Sequence, residues 1–161
     1  VKMHSSAVIL LLITIGITVA EKLPEQYYGK FTLDHSENFD EYLSAKGRTK
    51  FSKRLSVNAY GINVVLQAGG NKFDYANLTS KKNVYYNGVE LGKEFVGEGL
   101  DSTKHKITFF LRGKSLIEKH VPTDPSGTAK AEDYEYHFEG PFMVVSMNAN
   151  GVVGKRFYKK V

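Results

Sequence analysis

From residue 27 to residue 160 the chain alternates short apolar runs with Gly, Asn and Asp punctuation, and inside most runs the side-chain character repeats every second residue. Runs of this kind, rich in β-branched and aromatic residues, predict strands rather than helices. Ten are predicted, near 27–34, 62–67, 72–79, 82–87, 93–99, 104–112, 115–121, 133–139, 142–148 and 154–160. The separators "AGGN", "NGVELG", "LDST", "RG", "EGP" and "NANG" suit tight hairpins. One longer connection, "PTDPSGTAKAE" at 122–132, is polar with two prolines and predicts a surface loop. Ten antiparallel strands at such regular spacing predict a mostly β domain, either a sandwich or a closed barrel.

The period changes once, in "NFDEYLSAKG" at 38–47. Phe39, Tyr42 and Leu43 fall on one stripe at spacings of three and four, which predicts a short amphipathic helix over 37–46, followed by a second over 49–58. Ser36 or Glu37 ahead of Asn38 offers an N-terminal cap, acids at 37, 40 and 41 suit the positive end of the helix dipole, and Gly47 ends the helix. Some strands have two usable faces. Met143, Val145 and Met147 oppose Phe142, Val144 and Ser146, and Tyr134, Tyr136 and Phe138 oppose Asp133, Glu135, His137 and Glu139. Met and Tyr make adaptable, partly wettable walls, so these faces line a cavity or form an ordinary core.

The first twenty residues follow a different logic. Lys2 and His4 precede "AVILLLITIGITVA", fourteen residues without a charge that end in Thr18-Val19-Ala20. A basic start, an apolar middle and a small-residue end predict a signal peptide cleaved after Ala20, and hence secretion of residues 21–161. A membrane span needs roughly 20 apolar residues, more than this run supplies. Val1 and Lys2 ahead of Met3 fit either a fragment or an upstream start. Removing Lys2 from the 22 bases leaves 21 against 17 acids, a net charge of +4. That is too mild for a nucleic-acid-binding face. The absence of cysteine excludes disulfides, thiol catalysis and thiolate metal sites. "NLT" at 77–79 makes Asn77 a candidate N-glycosylation site.

Catalytic patterns are missing. His35, His105, His120 and His137 stand singly without metal-ligand spacing, no G-x-S-x-G elbow occurs, and no helix follows the "AGGN" turn that would make it a phosphate loop. The chain is expected to be no enzyme and to need no cofactor or metal. One pair stands out: Arg156 and Tyr158 share a strand face. Turned inward they would grip a carboxylate, the arginine through charge-assisted bonds and the phenol through its hydroxyl. Turned outward, Arg156 is solvated and Phe157 is the buried residue.

Gly29-x-Phe31-x-Leu33, then Asn38-Phe39-Asp40-x-Tyr42-Leu43-x-x-Lys46, with "LGKEF" (91–95), "LDSTKHKITFFL" (100–111) and "KRFYKK" (155–160), resembles the intracellular lipid-binding protein family of fatty-acid- and retinoid-binding proteins, a calycin group. With the leader and the long 122–132 loop, the resemblance is to its secreted nematode branch. It implies a ten-stranded antiparallel up-and-down barrel, a two-helix lid near the N-terminus, and a ligand cavity that Tyr134, Val145 and Met147 help to line. It also implies a monomeric carrier of a long-chain fatty acid or a retinoid, with Arg156 and Tyr158 as the carboxylate clamp. The family's second arginine falls on Tyr136 when counted without gaps, or on Glu135 with a one-residue slip; neither is cationic, so Tyr136 is expected to share the carboxylate in its place. Phe51, Leu55 and Lys82 fall at the portal, Lys82 in place of an aromatic. Residues 47–59 are basic, with Arg48, Lys50, Lys53 and Arg54 after Lys46, and carry an apolar strip of Phe51, Leu55 and Val57. Such a helix suits transient contact with anionic membranes. The competing expectation is a secreted lipocalin-like glycoprotein that acts through its surface without lipid.

Overall fold

The computed structural model describes residues 21–47 and 61–161. The predicted signal peptide, the second predicted helix at 49–58 and its residues Phe51 and Leu55 lie outside the described residues.

Ten strands form one sheet: β1 Gly29–Glu37, β2 Gly61–Gln67, β3 Lys72–Thr79, β4 Asn83–Glu90, β5 Phe95–Glu98, β6 Lys104–Arg112, β7 Ser115–Pro122, β8 Glu132–Glu139, β9 Phe142–Ala149 and β10 Val152–Lys160, with a helix α1, Phe39–Ala45, after β1. A 3-10 turn, Glu25–Tyr27, precedes β1. The order is β4-β3-β2-β1-β10-β9-β8-β7-β6-β5, so the sheet curls until β1 pairs antiparallel with β10. It stops short of closure, because β4 and β5 are the two ends of the order and share no ladder. The result is a nearly closed barrel. Period-two alternation does place the even positions of β8 and the odd positions of β9 inward, where Tyr136, Met143, Val145 and Met147 join the buried interior.

The strand and helix boundaries differ from expectation around α1. β1 runs to Glu37, whose Cα partner is Lys155, so the backbone at 36–37 is spent on the ladder and cannot cap a helix. Asn38 instead turns the chain abruptly at φ 48, a left-handed conformation that asparagine tolerates, with no side-chain cap bond. The other end behaves as expected: Gly47 at φ 80 donates its N–H to the Ser44 carbonyl at 2.9 Å and stops the helix. Phe39, Tyr42 and Leu43 are buried against the barrel. Their seat is made by Gly154 of β10, where a Cβ would stand 2.7 Å from the Tyr42 Cβ. Asn150 Nδ2 donates to the Ala45 carbonyl at 2.8 Å and ties α1 to the β9–β10 turn.

The opposite end is plugged by Tyr27. Its hydroxyl takes the Leu116 N–H at 3.1 Å and faces the carbonyls of Lys114 and Tyr136 at 2.8 and 2.9 Å, while its ring packs edge-on against Phe138 at 5.1 Å. Between lid and plug the interior is mainly apolar and aromatic. It also buries Asn63, His105, Glu118 and His120.

Candidate functional site

β10 sets the site by alternation. Phe157 turns to the outer wall and is covered there, its ring stacked on His35 at 4.3 Å. Tyr158 turns inward and is 4 % exposed. Arg156 shares that inner face, half-buried, with its guanidinium carbon 4.7 Å from the centre of the Phe39 ring. Gly61 of β2 leaves room for both polar ends. A Cβ at Gly61 would stand 3.3 Å from the Tyr158 hydroxyl and 3.8 Å from Arg156 Nη1, so the two groups converge over bare backbone. Burial raises the Tyr158 pKa, while the charge of Arg156 and a hydrogen bond from Asn63 pull it back. The phenol is therefore a proton donor at any physiological pH.

Asn63 leads away from this corner into a chain of buried hydrogen bonds. Tyr75 donates to Asn63 Oδ1 at 3.2 Å, and its hydroxyl lies 2.9 Å from that of Tyr136. Tyr136 donates to Glu118 Oε2 at 2.5 Å. Glu118 Oε1 lies 2.7 Å from His120 Nε2. Burial, and then the neighbouring Glu118 carboxylate, push the phenols of Tyr75 and Tyr136 well up. For His120, burial works to lower the pKa, but the hydrogen bond and charge of Glu118 outweigh it and the net direction is upward.

His120 and His105 meet edge-to-face at 5.3 Å. His105 Nε2 faces Thr103 Oγ1 at 2.8 Å and both Asp101 oxygens at 3.1 Å. Its Nδ1 is buried without a hydrogen-bond partner. Burial tends to raise the Asp101 pKa, but the Thr103 amide and hydroxyl and His105 hold it below the usual carboxylate range. Tyr134 packs against the interior and donates to Glu132, which pairs with Lys46 just past α1. Among the described residues no cluster of His, Asp and Glu is arranged to hold a metal ion.

The expected site residues thus separate into groups. Arg156 and Tyr158 come together. Tyr136 is inside, as expected, with its proton directed at Glu118. Val145, whose ladder partners are Arg156 and Tyr136, and Met147, paired with Tyr134, join the buried interior. Asn77 is half-buried, and its Cα partners Asn63 and Val84 are both buried residues of the inner face. Lys82 lies on the β3–β4 turn, where it pairs with Glu98 and donates to Ser102 Oγ at 2.9 Å, bridging to the β5–β6 turn. Behind that bridge a cleft of about 470 Å³ runs between β4 and β5, lined by residues 82–90 and 93–98. The sequence reading passed over Glu118 and set His105 and His120 aside as single histidines without metal-ligand spacing. The signal was present in "SLIEKHV", where Leu116, Glu118 and His120 fall on one face of a strand.

No protein-family model matches the chain. Curated relatives cover nearly all of it. Fatty acid-binding protein homolog 1 of Caenorhabditis elegans is 53% identical over 153 residues, 94% of this chain and 96% of that protein. Fatty acid-binding protein homolog 2 of the same organism is 49% identical over 160 residues, 98% of this chain and 99% of that one. Among solved structures, As-p18, described as an extracellular fatty acid binding protein, superposes with a TM-score of 0.81 at 38% identity, covering 88% of this chain and 100% of that one.

Proposed function

The chain belongs to the fatty-acid-binding protein family, and on that premise we propose that it carries one long-chain fatty acid inside its barrel, with the lipid carboxylate held by Arg156 and Tyr158. The observation that carries this reading is the convergence of a guanidinium and a buried phenol over Gly61. A guanidinium and a phenol hydroxyl both donate hydrogen bonds, and one carboxylate is able to accept from both at once. A retinoid, in its acid form, is the alternative occupant with the same head. The barrel acts by binding alone and performs no chemistry on its cargo.

The same reading places the protein outside the cell. It is supported by the leader-like composition of residues 1–20 and by the 38% identity to a protein described as extracellular. It works as a monomer, and its basic segment 47–59 touches anionic membranes when lipid is handed over. Lipid extraction of the purified protein, followed by mass spectrometry, identifies the cargo. Arg156→Leu should then lower fatty-acid affinity by about 1.5–3 kcal/mol, the range for a hydrogen bond to a charged group, and leave methyl-ester binding nearly unchanged. Equal losses for acid and ester would remove the carboxylate role from Arg156. A barrel that neither yields nor takes up lipid would end the carrier reading.

A further inference from the structure

The interior holds a second polar centre, across β6, β7 and β8 from the clamp, and it differs from the clamp in hydrogen-bonding sense. The clamp presents donors. The second centre presents acceptors, as a count of its protons shows.

Tyr136 has one proton and spends it on Glu118 Oε2. Tyr75 has one, and it lies between Asn63 Oδ1 and the Tyr136 oxygen. His120 Nε2 faces Glu118 Oε1. Among the described residues each Glu118 oxygen therefore receives a single donor, although each has capacity for two. His105 adds to this surplus. Its Nε2 stands opposite a carboxylate, which fixes the proton on that nitrogen and leaves Nδ1, in the neutral ring, as a bare lone pair. That atom is buried without a partner, in a residue 5% exposed whose ring meets His120 at 5.3 Å. A buried acceptor left alone is costly, and a buried polar cluster short of donors is completed by a donor from outside the chain. A cation is a poor fit, since no metal-binding group of ligands forms among the described residues. A second carboxylate is excluded by Glu118. A plain alkyl tail would leave the acceptors as they are.

We propose that Glu118 and His105, with Tyr136 and His120 holding the carboxylate, form a specificity subsite for a hydroxyl group, so that the preferred cargo is a long-chain monocarboxylic acid bearing a hydroxyl along its chain. This rests on the carrier reading above, with Arg156 and Tyr158 taking the carboxylate and the subsite taking the hydroxyl proton. Both centres lie on the inner face of one barrel and are linked through Asn63, Tyr75 and Tyr136.

The test is displacement of a fluorescent fatty acid by palmitate and stearate and by their 2-, 3-, 12- and ω-hydroxy derivatives, on the wild type and on two single variants. Glu118→Gln keeps the size and an acceptor for Tyr136 but loses the charge. His105→Phe fills the same space and removes the lone pair. At least one hydroxy isomer should bind the wild type about tenfold tighter than its parent acid, as expected of a hydrogen bond to a charged group. That preference should fall below about threefold in each variant that folds, while the affinity for the parent acid stays within about threefold of wild type. Circular dichroism reports folding, and either variant alone suffices. If no isomer is preferred, or if the preference survives in a folded variant, the subsite is wrong even though plain acids bind. If plain and hydroxylated acids are both refused, the carrier reading fails instead.

Discussion

The two long edges of the barrel are held by different physics. At β9–β10 the register is unbroken from Val152↔Ala149 to Lys159↔Phe142, a ladder of backbone hydrogen bonds that depends little on side-chain identity. At β4–β5 there is no ladder. That seam is closed by side chains: Tyr86 donates to the Glu98 carbonyl at 3.0 Å, Tyr86 and Phe95 meet edge-to-face at 5.3 Å, and Lys82 spans the two turns. A backbone ladder survives most substitutions. A side-chain seam is only as strong as a few residues, and it is where the barrel would open first.

The largest effect is expected behind the seam. Phe109 of β6 is fully buried and sits among Phe73, Tyr75, Tyr86 and Phe95, with centroid distances of 5.5, 5.3, 6.4 and 6.4 Å. Phe109→Ala removes the ring on which both sides of the seam rest and should cost about 3–5 kcal/mol in urea unfolding. Amide exchange should rise first in β4 and β5. Met143→Ala, at an equally buried position on the laddered side, should lower global stability without that local signature. An even rise across the sheet for Phe109→Ala would erase the contrast between the edges.

A smaller effect separates the polar interior from the apolar one. The folded pKa of His120 is raised from 6.5, burial opposing and Glu118 prevailing. A raised folded value means that its contribution is fully present below pH 6.5 and is lost as pH rises through the folded value. The groups facing it are Glu118, His105, Asp101, Glu132, Tyr134 and Tyr86. Asp101 has a lowered pKa, so its own contribution is present above the unfolded value and lost only in acid, outside this window. Wild-type stability should thus decline from pH 6.5 upward more steeply than that of His120→Gln, as read from urea midpoints between pH 6 and 8. Parallel curves would mean that His120 stays in one protonation state throughout.

What the sequence disclosed follows the same divide. The ladders came from period-two alternation, and all ten strands lie within three residues of where the pattern puts them. Gly47 and the stripe of Phe39, Tyr42 and Leu43 were equally legible, because local spacing determines them. The cap at α1 was misread because β1 continues to Glu37 only through pairing with β10, more than a hundred residues away in the chain. Arg156 and Tyr158 were legible as a pair on one strand. Glu118 and His120 had the same spacing, yet their significance depends on Tyr136 and His105 from neighbouring strands, which no single-strand pattern reveals. The seam was invisible for a related reason: "NGVELG" reads as an ordinary hairpin turn, and only closure of the whole barrel shows that β4 and β5 do not pair.

The smallest effect on stability, and the sharpest on the seam, belongs to Lys82. Its ammonium group pairs with Glu98 and reaches Ser102, with side-chain exposures of 25% for Lys82 and 53% for Glu98. Exposed pairs of this kind contribute about 0–1 kcal/mol, so Lys82→Met should barely shift the unfolding midpoint. The pair nevertheless joins the β3–β4 turn to the β5–β6 turn across an edge without a ladder, directly over the cleft between β4 and β5. Removing it should loosen that edge alone. Amide exchange at 83–87 and 95–98 should quicken, and a fluorescent fatty acid should enter and leave several-fold faster at unchanged equilibrium affinity. High salt should bring the wild type toward the variant and leave the variant as it is, because screening acts on the pair that the variant lacks. If exchange and lipid kinetics both match wild type, Lys82 is an ordinary surface ion pair, and the aromatic cluster around Phe109 holds the seam by itself.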